Sequence, residues 1–103
     1  MINLIIYLNA ENEAKELVDL LFKDDLIANA SIDVSNDSYS KVNNEIVKKT
    51  NTVITAQTKG LLFSEIEKVV VEKYGANIPI FTLPITQANH RFDDIIRNST
   101  KKI

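Results

Sequence analysis

At 103 residues the chain has the length of one domain built on one hydrophobic core. It is 45% hydrophobic and 25% charged, a globular and soluble composition, and its net charge of −2 without a basic block argues against a nucleic-acid-binding face. With no cysteine, disulfides and thiolate metal ligands are excluded, and the first apolar run is too short for a membrane span or a signal peptide, so a cytoplasmic protein is expected.

That run, Ile2 to Leu8, is rich in β-branched and aromatic residues and is apolar on both faces, as in a central strand buried on two sides. Asn9 offers a helix N-cap, with Glu11 and Glu13 placing negative charge in the first turn. Ala14, Leu17, Val18, Leu21 and Phe22 then fall at spacings of three and four, one apolar stripe on a helix that ends near Lys23-Asp24-Asp25. From Leu26 to Val34 the period is two, with Ala28, Ala30, Ile32 and Val34 on one face. The polar stretch Ser35 to Thr50 is punctuated by Tyr39, Val42, Ile46 and Val47. It reads as the distal part of a long hairpin turning at Asn43-Asn44, because asparagine tolerates the left-handed backbone of tight turns.

The return strand is Thr52 to Thr58, and Gly60 breaks it. Leu62, Phe63, Ile66, Val69, Val70 and Lys73 trace a second helical stripe, closed by Tyr74-Gly75. The last strand, Ile78 to Ile85, contains Pro79 and Pro84, neither able to donate a ladder hydrogen bond, which puts them at a sheet edge or near strand ends. Phe92, Ile95 and Ile96 give a short final helix capped by Asn89. The order β-α-β-β-α-β predicts an α+β, ferredoxin-like sandwich over residues 1–103: a four-stranded antiparallel sheet with two helices on one face and a short C-terminal helix. Leu17, Leu21, Phe63, Ile66 and Val70 are expected to meet Leu4, Ile6, Ile54 and Ala56 in its core.

Within that frame the chain resembles the CutA divalent-cation tolerance family. The resemblance rests on Leu26-Ile27-Ala28-Asn29-Ala30-Ser31-Ile32, similar to the family's L-A-A-C-V-N-I strand, and on Tyr39 in the hairpin. Thr58 before the second helix, Ile66-Glu67, Ile78-Pro79 and Leu83-Pro84-Ile85 continue it, in register from Asn29 to Pro79. The resemblance implies a homotrimer associated with tolerance of divalent cations, copper among them, and no catalysis. The departures bear on metal. Asn29 stands at the family's cysteine, and Lys41 or Val42 and Asn43 or Asn44 stand at its hairpin tryptophan and glycine. Gln57 replaces the lysine before the threonine, Tyr74-Gly75-Ala76-Asn77 replaces H-P-Y-E, and Ile80 replaces the glutamate after the proline. The residues that remain leave room only for weak divalent-cation binding. A second reading from a different class is a PII-like signalling trimer that takes a small ligand between subunits.

No residue is assigned as catalytic, cofactor-binding or metal-ligating. His90, Asp93 and Asp94 share a helix face at i, i+3 and i+4, a start for a transition-metal site, but first-turn carboxylates are ordinary and a tight site needs three or four ligands. Tyr7, Tyr39 and Tyr74 could line a small-molecule cleft; packing at a subunit seam is the favoured account. Thr58-Lys59-Gly60 before a helix falls short of a phosphate loop, Asp24-Asp25 reads as a turn, and Ser31, Ser64 and Ser99 have no histidine in a nucleophile motif. Assembly is expected to cover the face bearing Ala28, Ala30, Ile32 and Val34.

Overall fold

The computed structural model describes residues 1–103. The elements are β1 (Ile2–Leu8), α1 (Glu11–Lys23), β2 (Asn29–Val42), β3 (Glu45–Thr58), a single 3-10 turn (Gly60–Leu62), α2 (Phe63–Tyr74), β4 (Ile80–Pro84) and α3 (His90–Ser99). The four strands form one sheet in the order β2-β3-β1-β4, and every neighbouring pair is antiparallel. β1 is therefore central, as its two-sided apolar sequence requires. β4 pairs only with β1 and lies between its two prolines, of which Pro84 ends the strand.

Leu4, Ile6 and Leu8 of β1 alternate with less buried neighbours and meet Ile54 and Ala56 of β3 in the core. Ala14, Leu17 and Leu21 of α1 and Ile66 and Val70 of α2 close over them. Two aromatics of the expected helical stripes, of which only Phe63 was expected in the core, lie further out. Phe22 is 42% exposed, and Phe63 only packs partly buried against the core, while Leu62 is fully buried. The stripe of α2 begins in the 3-10 turn, whose tighter winding brings Leu62 rather than Phe63 under the sheet.

The end of α1 and the start of α3 obey simple backbone rules. At the end of α1, Leu26 N–H bonds Leu21 O at 2.9 Å and Asp25 N–H bonds Phe22 O at 3.0 Å, around Asp25 at φ 55°. That is a Schellman closure, with Leu26 and Leu21 both buried beneath it. Asp24-Asp25 is thus a structural turn. The start of α1 differs from expectation: Ala10, not Asn9, occupies the cap position, and no side chain caps it. α3 is capped as expected, with Phe92 N–H donating to Asn89 Oδ1 at 2.9 Å.

The β2–β3 hairpin is longer than the expected strands because pairing continues through the polar stretch to Val42↔Glu45. Asn43 and Asn44, at φ 51° and 65°, make the two-residue turn whose twist suits a hairpin. Fourteen residues at about 3.3 Å each give roughly 46 Å, which accounts for the 45 Å long axis of the molecule. The register slips between Asp33 and Asn36, so that Val34 and Ser35 together face Thr52; Ser35 sits at φ 60°. This bulge reverses the alternation of β2. Ala30 and Ile32 pack on the core, but Val34, expected beside them, is half exposed.

Candidate functional site

An open cleft of about 370 Å³ lies where β1 ends, between the stem of the hairpin and the link from α2 to β4. Tyr7 and Asn9 come from the end of β1; Ser38, Lys49 and Asn51 from the hairpin; and Tyr74, Asn77, Ile78 and Pro79 from the link. Its volume falls in the range of small-molecule sites. The walls are fixed by hydrogen bonds. Tyr7 N–H donates to Pro79 O at 3.1 Å and ties the link to β1. The Tyr74 hydroxyl donates to Glu13 O at 3.0 Å and ties the end of α2 to α1. Gly75, at φ 91°, lets the chain leave the helix toward the cleft.

On the hairpin wall, Asn51 Nδ2 donates to Ser38 Oγ at 2.5 Å, and Ser38 Oγ donates to Lys49 O at 3.3 Å. Asn51 is only 6% exposed. Lys49 is the one charged residue of the lining and joins no ion pair. Burial first, and the charges of Glu16 and Glu13 after it, raise the Tyr74 phenol above its ordinary pKa. The Lys73 ammonium stands 5.6 Å from the centre of the same ring and 3.7 Å from Glu16.

The residues singled out in the sequence separate in space. Tyr7 and Tyr74 reach the cleft, but Tyr39 is 65% exposed on the hairpin, opposite Lys48. Thr58 is fully buried and donates to Leu26 O at 2.5 Å, while Lys59 Nζ donates to Lys101 O at 2.9 Å. Both are structural ties. His90 is exposed at the start of α3, and Asp93 is bound by Arg97 at 2.6 Å. Within one chain no group of three or more His, Cys, Asp or Glu side chains converges. Lys49, Asn51 and Asn77 were missed by sequence reasoning. The only signal for two of them is parity: Asn51 and Lys49 stand two and four residues before Val53, which pairs with Tyr7.

The sheet's other face lies opposite α1 and α2. By register it presents Ile5 and Tyr7 of β1 beside Thr55 and Val53 of β3, with Phe81 and Leu83 of β4 alongside. Tyr7 and Phe81 pack with ring centres 6.3 Å apart, and Phe81 and Leu83 remain 45% and 50% exposed. The uncovered apolar surface here is Phe81 and Leu83, with Ile5 and Tyr7 half-buried and Val53 buried, and not the face of Ala30 and Ile32, which packs against the core.

The sequence model of the CutA1 divalent ion tolerance protein family matches residues 2–99. No curated protein sequence matches the chain. Among solved structures, the divalent cation tolerance protein CutA1 of Thermus thermophilus is similar, with a TM-score of 0.87 at 22% identity, covering 98% of this chain and 100% of that one. CutA1 from Oryza sativa gives a TM-score of 0.89 at 17% identity, covering 99% and 94%. A CutA from Archaeoglobus fulgidus, described as a periplasmic divalent cation tolerance protein, gives 0.86 at 22%, covering 98% and 100%. At such identities the structural likeness speaks for the fold.

Proposed function

The chain belongs to the CutA1 divalent ion tolerance family, and from that premise we propose that it serves divalent-cation tolerance as a non-catalytic homotrimer in the cytoplasm. The number of subunits follows the family resemblance. The assembling surface is the sheet face opposite α1 and α2, and the observation that supports the reading is its strip of Ile5, Tyr7, Phe81 and Leu83, the last two about half exposed. A sheet face with this much apolar side chain is normally packed against another layer. α1 and α2 pack on the opposite face, and three copies turned inward would supply the layer here.

In this proposal the chain holds copper only weakly. Its single histidine is exposed, the Asp93 carboxylate in the same turn is engaged by Arg97, and oxygen donors suit harder ions. Tolerance then works through what the trimer binds rather than through sequestration of the metal. The test is growth under added Cu²⁺ of a bacterial strain lacking its own CutA1. The chain should restore growth, and Phe81→Asp, which places a charge in the strip, should not. Equal growth with and without the chain contradicts the tolerance role; full restoration by Phe81→Asp contradicts the part played by assembly. Fractionation of the same cells checks the compartment.

A further inference from the structure

We propose that Thr100 and Lys101 form a strap that fastens α3 to the body of the fold, and that α3 opens as a unit, ahead of the core, when the strap is released. This is a conformational device, and it goes beyond the tolerance role and the assembly proposed above.

α3 has little of its own to hold it in place. The link 85–89 that leads to it forms no helix or strand, and 86–89 are exposed. Within His90–Ser99 only Ile96 is buried, Phe92 and Asp93 are half-buried, and the rest are exposed. Ile96 stands outside the single core cluster that joins β1, β3, α1 and α2. The Asn89 cap and the Arg97–Asp93 pair support the helix from within, but neither ties it to another element. A helix this short does not persist alone in water, and burial of one isoleucine does not offset the entropy of fixing its backbone.

What fixes α3 lies just beyond its end. Thr100 is 4% exposed, and its hydroxyl donates to Ile96 O at 2.7 Å, which closes the last turn. Lys101 then reaches three other elements. Its N–H donates to Asp25 O at 2.7 Å, in the turn after α1. Its carbonyl accepts from Lys59 Nζ at 2.9 Å, in the loop after β3. Its own ammonium meets Glu65 Oε2 at 2.7 Å, on α2. Asp25 is held by the Schellman closure of α1, so the backbone bond is made to a fixed carbonyl. Lys102, exposed beside it, joins no ion pair.

Each of these ties is weak alone, because surface ion pairs and single hydrogen bonds contribute little net stability. They all run through one residue, however, so they are made and lost together. Their loss frees α3, exposes Ile96 and opens the recess of about 180 Å³ between Met1, Lys59, Asp93, Ile96 and Arg97. The core cluster keeps all its members. Such an opening costs less than global unfolding and is a unit of local stability in its own right.

The test is amide hydrogen exchange of the full chain followed by NMR, at one fixed protomer concentration. In the parent chain the amides of Asp94 to Ser99 should exchange through an opening that leaves Leu4, Ile6 and Ile54 protected. Lys101→Ala removes the ammonium and should speed α3 exchange about threefold, the scale of an exposed ion pair. Lys101→Pro also removes the N–H that binds Asp25. Thr100 is already extended, at φ −113° and ψ 162°, as a residue before proline must be. The acceleration should then reach about twentyfold. Lys101→Glu combined with Glu65→Lys should return α3 to the parent rate, and Lys102→Ala should not change it. The core amides should keep the parent rate in every variant. The proposal is overturned if α3 exchanges at the core rate in the parent chain, or if Lys101→Pro leaves α3 exchange unchanged. It is overturned equally if Lys101→Pro speeds the core amides as much as those of α3, which would make residue 101 an ordinary contributor to global stability.

Discussion

Replacing Ile66 by alanine tests the orientation of α2, on which the description of the core depends. Ile66 has no exposed surface and belongs to the single buried cluster. The substitution deletes three carbons. At about 0.8 kcal/mol for each buried methylene the transfer loss is roughly 2.5 kcal/mol, and a residual cavity raises it to about 3–4 kcal/mol. Phe63 is larger, and composition alone would rank it above Ile66. It is only partly buried, so Phe63→Ala should cost less, about 1–2 kcal/mol, because much of its ring already meets water. Urea unfolding followed by circular dichroism gives both values, at one fixed protomer concentration because an oligomer's stability depends on it. A larger loss for Phe63→Ala than for Ile66→Ala would mean that α2 is rotated and that the 3-10 turn does not set its phase.

Tyr74→Phe should cost about 1 kcal/mol at neutral pH, the usual net worth of one hydrogen bond, here that to Glu13 O. Because folding raises the Tyr74 pKa, its contribution is whole below the unfolded phenol value near pH 10 and fades as pH rises through the folded one. Lys15 and Lys101 are raised by hydrogen bonds to Glu11 and Glu65 and weaken the fold in the same alkaline direction, but Tyr74→Phe leaves them alone. Alkaline unfolding should therefore be steeper for the parent chain than for Tyr74→Phe, and identical slopes would assign the alkaline loss to the lysines. Calorimetric titration with Cu²⁺ should give affinity no tighter than about 10⁻⁴ M, the level of weak oxygen sites, and His90→Ala should remove what remains. Sub-micromolar binding that survives His90→Ala would point to a site assembled across subunits.

The fold was legible in this sequence where local chemistry and tertiary demand agree. Ile2 to Leu8 read as a central strand, Pro79 and Pro84 pointed to a sheet edge or to strand ends, and Asn43-Asn44 marked the turn of the hairpin. Legibility ended where a single extra residue changes phase. The bulge at Val34 and Ser35 leaves no mark in composition, yet it reverses every side chain beyond it and removes Val34 from the face of Ile32. The 3-10 turn did the same to Phe63. The strip was hidden for a related reason: Ile5, Val53 and Phe81 are neighbours only through strand pairing. The cleft was half visible. Tyr7 and Tyr74 stood out as aromatics, but Lys49, Asn51 and Asn77 read as ordinary polar surface, and only the register gathers the first two near Tyr7. His90, Asp93 and Asp94 have a helical spacing that ligands could share, but ordinary first-turn charges were the favoured account, and Asp93 pairs with Arg97.

Assembly through the sheet face opposite α1 and α2 is tested most directly by sedimentation equilibrium of the parent chain and of Phe81→Asp at micromolar concentration. The account predicts a parent species of about 35 kDa, three copies of the 11.6 kDa chain, and a Phe81→Asp variant that sediments as a folded monomer with the parent's circular dichroism spectrum. A monomeric parent chain, or a Phe81→Asp variant that remains trimeric, would contradict it.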